Sequence, residues 1–161
     1  MKKIFKKVKD SWITSIAIGI IVALLISNFI AHPIMVQGSS MYPTYKDGSI
    51  GFAGKMFNEN NIKRNDIVVL ETLEGKKIIK RVIGLPGEKV EYINHKLYIN
   101  GNKVEDQFES ITEDYYITVP KGEYFCLGDN RTNSRDSRNY GTFKLKQIFA
   151  KGVLILWPIN L

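Results

Sequence analysis

The chain has 161 residues, room for one modest domain or one domain with a small annexe. Its formal net charge is +7, and five lysines against Asp10 in the first ten residues supply +4 of it, leaving +3 for the rest; a nucleic-acid binder should instead concentrate its basic excess on the folded domain. One cysteine, Cys126, and two separated histidines, His32 and His95, exclude an internal disulfide and a typical zinc site.

In chain order, residues 1–11 form a basic arm carrying Lys2, Lys3, Lys6, Lys7 and Lys9. Residues 12–31 contain no charge and are dominated by Ile, Val, Leu and Ala. About twenty such residues span a hydrocarbon core of roughly 30 Å, so the stretch predicts a transmembrane helix, with Trp12 suited to one interface and His32-Pro33 ending the helix at the other. A cleavable signal peptide shares the order of lysines then apolar residues, but its core is shorter, and Phe29-Ile30-Ala31 puts a bulky residue where a small one is needed. A buried core helix is the other alternative. The arm's lysines predict a cytoplasmic N-terminus, with everything from His32 onward outside the cytoplasm.

The next stretch, Val36 to Thr44, holds Gly38-Ser39-Ser40 ahead of Pro43. Glycine beside serine admits a close backbone approach and proline stiffens the exit, which suits a rigid perch for one hydroxyl, Ser40; an ordinary surface turn has the same composition. Asp66 to Leu73 and Lys76 to Ile83 read as two strands around Glu74-Gly75. A two-residue loop there would set Leu73 against Lys76, Glu71 against Ile78, Val69 against Lys80 and Ile67 against Val82. Lys80 would then stand among Ile67, Val69, Ile78 and Val82, and the loss of water would favour its neutral, basic form. The opposite face is equally apolar, so alternation leaves open whether Lys80 or Arg81 points inward.

Gly87-Glu88-Lys89 lacks the spacing, the following Ser/Thr and the helix of a phosphate loop. Residues 88–122 read as a small β annexe, with strands at Val90 to Ile93 and Leu97 to Ile99 and an acidic, irregular part from Asn102 to Thr118. Tyr124 to Leu127 is a strand, with Cys126 as a buried apolar residue. Gly128 to Arg138 is dense in Asp, Asn, Ser and Arg: a solvated loop, or a brace in which Asp129 and Asp136 pair with Arg81, Arg131 or Arg138 while Ser134 orients an amine. Leu154 to Trp157 closes the chain as a strand. No helical period of comparable strength follows the apolar run, so the expected fold is mainly β. Neither histidine sits where a Ser-His-Asp base belongs. Ser plus Lys is what remains.

The segments Gly38 to Thr44, Arg64 to Val69, Lys80 to Gly87, and Gly128 to Arg131 with Ser134, Asp136, Ser137 and Arg138 together resemble the bacterial type I signal peptidases, in particular the short single-span form of Gram-positive bacteria. The resemblance implies an antiparallel β-sheet catalytic domain over 32–87 and 123–161 with the annexe at 88–122. It implies Ser40 as nucleophile and Lys80 as general base, with no cofactor or metal. Ser134 would orient the lysine, Arg81, Asp129, Arg131, Asp136 and Arg138 would brace the site, and Gly38 stands where some relatives carry a serine hydroxyl. Ile34, Val36, Met41, Val69 and Ile79 would line shallow pockets for small side chains, hence cleavage after Ala-x-Ala sequences. The implied partners are secreted preproteins with their signal peptides and the lipid bilayer, near the translocation machinery. A self-processing or catalytically silent membrane-anchored member of the same fold is the alternative.

Overall fold

A computed structural model describes residues 2–29, 31–55, 61–108 and 114–157, with side chains of the first helix described from Trp12 to Leu25. Met1, Ile30 and residues 56–60, 109–113 and 158–161 lie outside the described residues, as do the side chains of 2–11 and 26–29.

Helix α1 runs over Lys2–Phe29, through the basic arm and most of the uncharged run, with no proline to interrupt it. It stops earlier than the sequence suggests: Ala31 already begins strand β1 (Ala31–Met35), so His32 and Pro33 are strand residues rather than a helix terminus. Proline is tolerated there because β1 is the edge of its sheet. Among the described residues no helix is long and apolar enough to cross a membrane. The side chains described on α1 stop at Leu25, short of the roughly twenty apolar residues a crossing takes.

The remainder is mainly β, in two antiparallel sheets. The first has the order β1-β2-β11-β3-β4-β9-β10, with β2 at Ile50–Gly54, β3 at Ile67–Glu71, β4 at Lys77–Gly84, β9 at Glu123–Leu127, β10 at Phe143–Lys144 and β11 at Ile148–Trp157. The second has the order β7-β6-β5-β8, from β5 (Lys89–Ile93), β6 (Lys96–Ile99), β7 (Asn102–Val104) and β8 (Tyr115–Thr118). The stretch expected to be irregular, Asn102 to Thr118, thus contributes two short strands; each is half exposed and too brief to show alternation on its own. A one-turn helix, α2 (Ser137–Tyr140), breaks the loop after β9.

The β3–β4 hairpin differs from the expected register by one residue. The loop is Leu73-Glu74-Gly75, closed by Thr72 N–H donating to the Lys76 carbonyl at 2.9 Å, with Gly75 at φ +75°. Glycine at that left-handed position makes the three-residue bulged turn, the next most common hairpin connection after the two-residue one. Glu71 therefore faces Lys77, Val69 faces Ile79, Val68 faces Lys80 and Ile67 faces Arg81. Ile67 and Val69 leave the face of Lys80, and Val68 replaces them.

Each face of the large sheet has its own core. Val68, Leu70, Val82, Tyr124, Cys126 and Phe143 pack on the Lys80 side. Val36, Met41 and Tyr45 pack with Ile67 and Ile79 on the other, beside Ala53, Val69 and Ala150. Phe125, Leu127 and Ile83 join Val90, Tyr92, Leu97 and Ile99 in a third cluster that welds the small sheet to the large one.

Candidate active site

Lys80 stands midway along β4 and is only 2% exposed. Its side chain is flanked by Ile78 and Val82 in alternate positions and by Val68 across the strand pair, an apolar setting that leaves the amine little water. Burial is the main cause that brings its pKa down from 10.5 to about 8; the carboxylates of Asp136 and Asp129 pull the other way. The Nζ atom donates to Ser40 Oγ at 2.8 Å. A hydroxyl and an amine forty residues apart in sequence are thus in direct contact, and an amine with this pKa is in part neutral near pH 7, able to accept a proton from that hydroxyl.

Ser40 lies in a turn anchored on both sides. Val36 N–H donates to the Ser49 carbonyl at 2.8 Å and Tyr45 N–H to the Met41 carbonyl at 2.8 Å, while Asp47 Oδ1 accepts from Gly38 N–H at 2.7 Å. From the far side Asn130 N–H donates to the Ser40 carbonyl at 3.0 Å. The Asn130 side-chain amide reaches the Ser39 carbonyl and that of Asn133 reaches Ser39 Oγ. Asn130 and Asn133 lay inside a stretch marked as functional, yet nothing in their residue type assigned them this clamp; the turn bond between Asn133 N–H and the Asn130 carbonyl is what aims both at one loop.

The Asp/Arg-rich stretch is a brace, with partners partly different from those expected. Arg81 grips Asp129 through Nε at 2.8 Å and NH2 at 2.6 Å, the planar two-point pairing that suits guanidinium and carboxylate. Thr44 Oγ1 also donates to Asp129, tying the serine loop to the same ion pair. Asp136 accepts from Gly128 N–H at 3.0 Å and from Arg138 Nε and NH2 at 2.9 and 2.8 Å. Burial alone would raise its carboxyl, but the bonds from Arg138 and Gly128 N–H outweigh it and hold the pKa below the ordinary 3.8. Arg131 pairs with neither aspartate. It donates to the Gly128 carbonyl, to Tyr92 Oη and to both oxygens of Asp106, reaching into the small sheet. Asp106 was invisible as a partner because it lies in a stretch whose fold was not legible.

Ser134 lies in the same loop, two residues before Asp136. Its Oγ is buried and makes no hydrogen bond of ordinary geometry among the described residues; it lies close enough to Asp136 to lower that carboxyl. It also abuts Gly128, where an added Cβ would fall 2.2 Å from Ser134 Oγ and 2.6 Å from the Ser40 carbonyl oxygen.

The five residues singled out for pockets line two cavities that share Met35, Gln37, Lys76, Lys77 and Ile79. One, of about 250 Å³, is bounded by Val36, Met41, Ile79, Ser40 and Lys80; the other, of about 420 Å³, by Ile34, Val69 and Ile79. Both are lined by residues of β1 and β4, and the smaller one opens onto the serine and the lysine. Among the described residues no group of acids, histidines and cysteine is arranged to hold a metal ion.

The sequence matches the family model "Signal peptidase, peptidase S26" over residues 9–157. It is 40% identical to signal peptidase I S of Bacillus subtilis, covering 96% of this chain and 92% of that protein, and 34% identical to signal peptidase IB of Staphylococcus aureus, covering 96% and 93%. The crystal structure of a signal peptidase I from Enterococcus faecalis superposes with a TM-score of 0.53 at 36% identity, over 56% of this chain and 95% of that one. On the family model and these relatives, the chain belongs to the signal peptidase I family of endopeptidases.

Proposed function

We propose that this chain removes signal peptides from secreted preproteins by direct attack of Ser40 on the scissile carbonyl, with Lys80 as the base that takes its proton. The observation behind this reading is the 2.8 Å contact between a buried amine of lowered pKa and one hydroxyl at the mouth of a cavity. As Ser40 Oγ bonds to the carbonyl carbon its proton passes to Lys80 Nζ, and the oxyanion that forms needs fixed donors. The Ser40 N–H, with no partner among the described residues, is suited to that role; the Gly38 N–H is engaged by Asp47 and would have to exchange it for the oxyanion. Collapse of the intermediate returns the proton from Lys80 to the leaving amine, and water then releases the signal peptide from Ser40 by the same steps.

A substrate strand fits between β1 and β4. The neighbour β9 pairs with β4 only from Arg81 onward, so the stretch Lys77 to Lys80 keeps one edge open to a peptide backbone. The walls offered by Val36, Met41, Ile79, Ile34 and Val69 leave shallow space, which favours Ala-x-Ala ahead of the cut. Arg81, Asp129, Asp136, Arg138 and Arg131 hold the loop that clamps Ser40, and Ser134 fills the space between that loop and Gly128. The α1 helix lies across the membrane, with the lysine arm in the cytoplasm and the β domain outside, so that the cut is made beside the bilayer in which the substrate's own signal peptide sits.

The purified chain in detergent should cleave a preprotein immediately after Ala-x-Ala, read by N-terminal sequencing of the product. Replacing the alanine before the cut with phenylalanine should lower kcat/KM by at least ~100-fold. Equal cleavage of both substrates, or cleavage elsewhere, would overturn the assignment. Gly128→Ala supplies an independent check on the clamp. Its Cβ has to displace Ser134 or the Ser40 carbonyl, and a misplacement of about 1 Å near reacting groups costs on the order of 100-fold. A loss of that size in kcat, with folding retained by circular dichroism, is the expected result.

A further inference from the structure

The middle residue of an Ala-x-Ala substrate meets a different part of the site from its two neighbours. Successive side chains of an extended peptide point to opposite faces, so a strand laid on the open edge of β4 cannot send all three into the shallow pockets. Those pockets lie on the face of Ile79, which pairs with Val69 across the β3–β4 hairpin. With both alanines on that face, x projects to the face of Ile78, which pairs with Leu70 and packs, like Tyr140, against the core on the Lys80 side. The smaller cavity reaches both faces: Val36, Met41 and Ile79 line it from one, Ile78, Tyr140 and Arg135 from the other.

That second face is cationic at its rim. Arg135 lies over the ring of Tyr140, with its guanidinium carbon 5.4 Å from the centroid, and Lys76 lines the same cavity. A guanidinium held over a ring is positioned without an acidic partner. Arg135 and Lys76 are both exposed, neither makes an ion pair among the described residues, and no carboxylate lines the cavity. Asp136 is next to Arg135 in sequence, but its carboxylate is fully buried and taken by Arg138 and the Gly128 N–H. We propose that Arg135 and Lys76, backed by Tyr140 and Ile78, form a subsite for the middle residue of the Ala-x-Ala segment, and that this subsite selects glutamate. The proposal rests on the Ser40–Lys80 reading of cleavage. Glutamate can lay its two methylenes along Ile78 and the Tyr140 ring while its carboxylate meets the guanidinium, whereas a lysine at x meets like charge.

The test compares otherwise identical preproteins with Glu, Gln or Lys at x, cut by the full chain in detergent at about pH 9. That is above the Lys80 pKa of about 8, so an acid nearby cannot slow the reaction by keeping the amine protonated. kcat/KM for the Glu substrate should exceed that for Gln about fivefold and that for Lys about tenfold, through KM rather than kcat. Raising the salt to about 1 M should at least halve the advantage of Glu over Gln. Arg135→Glu should reverse the order, so that the Lys substrate is cut faster than the Glu one, and Lys76→Gln should bring the Glu-to-Gln ratio down to about twofold. Glutamate moved to the first position after the cut should gain nothing over glutamine there. Equal rates for Glu and Gln in the wild type, an unchanged order in Arg135→Glu, or an equal gain from glutamate after the cut would overturn the proposal and leave the Ser40–Lys80 reading standing. Failure to cut any of the substrates would overturn that reading, and this proposal with it.

Discussion

Lys80→Met is expected to lose ~10⁴-fold or more in kcat/KM while making the protein more stable at pH 7. Methionine fills the same apolar slot between Ile78, Val82 and Val68 without an amine to desolvate. The fall of the Lys80 pKa from 10.5 to about 8 corresponds to roughly 3 kcal/mol of unfavourable burial of the charged form, and recovery of about 1 to 3 kcal/mol is expected. Because the folded pKa lies below the unfolded one, the unfolded chain binds more protons between pH 8 and 10.5, so the wild-type protein regains stability across that window. The advantage of Lys80→Met, measured by urea unfolding, is therefore full below pH 8 and shrinks above it. Activity follows the same group with the opposite emphasis: kcat/KM should rise about tenfold per pH unit below 8 and level off above it. Lys80→Arg should stay inactive throughout, since a guanidinium keeps its proton. A wild-type profile that stays flat from pH 6 to 9 would remove Lys80 from the role of base.

Asp136→Ala should be the most damaging single change to folding in the site region. Asp136 is fully buried, and its removal strands the Arg138 guanidinium and the Gly128 N–H while uncapping α2, whose Arg138 N–H the same carboxylate accepts. Breaking one side of a buried pair costs about 3 to 5 kcal/mol. Asp136→Asn keeps the shape and part of the bonding and should cost less, about 1 to 3 kcal/mol. With the folded pKa held below 3.8, the carboxylate's contribution is present above the unfolded value and is lost as pH falls through the folded one. Asp136→Ala should accordingly lose its disadvantage in strong acid. An alanine variant within 1 kcal/mol of wild type at pH 7 would contradict this account.

Much of this was legible in the residues, for reasons that differ from place to place. Strands β3, β4 and β9 are apolar-rich runs bounded by turn residues, so their existence was plain, whereas of β11 (Ile148–Trp157) only the end from Leu154 was legible, because Lys151 and Gly152 interrupt its apolar pattern. Their register was not, because Glu74-Gly75 serves a two-residue loop or the end of a three-residue one equally well. The error moved Ile67 and Val69 to the wrong face, yet left Lys80 in apolar surroundings because both faces of β4 are apolar. Ser40 and Lys80 could be paired by elimination, whereas the contact between them depends on how the edge strand β1 curls, which no local pattern encodes. The ion pairs show the same limit. Asp129, Asp136 and their arginines were visible as a charged set, but the choice of Arg131 for Asp106 was decided by the docking of the small sheet. Strands β7 and β8 are too short and too exposed for alternation to register.

Arg131 anchors the small sheet to the loop that grips the nucleophile turn, through Tyr92 and Asp106 on one side and the Gly128 carbonyl on the other. Hydrogen exchange should therefore record one joint opening event for the amides of β5 and those around Gly128, where two independent modules would have given two. It follows that residues 88–122 are not a removable ornament: a shortened chain lacking them would expose a buried guanidinium beneath the very turn that presents the hydroxyl.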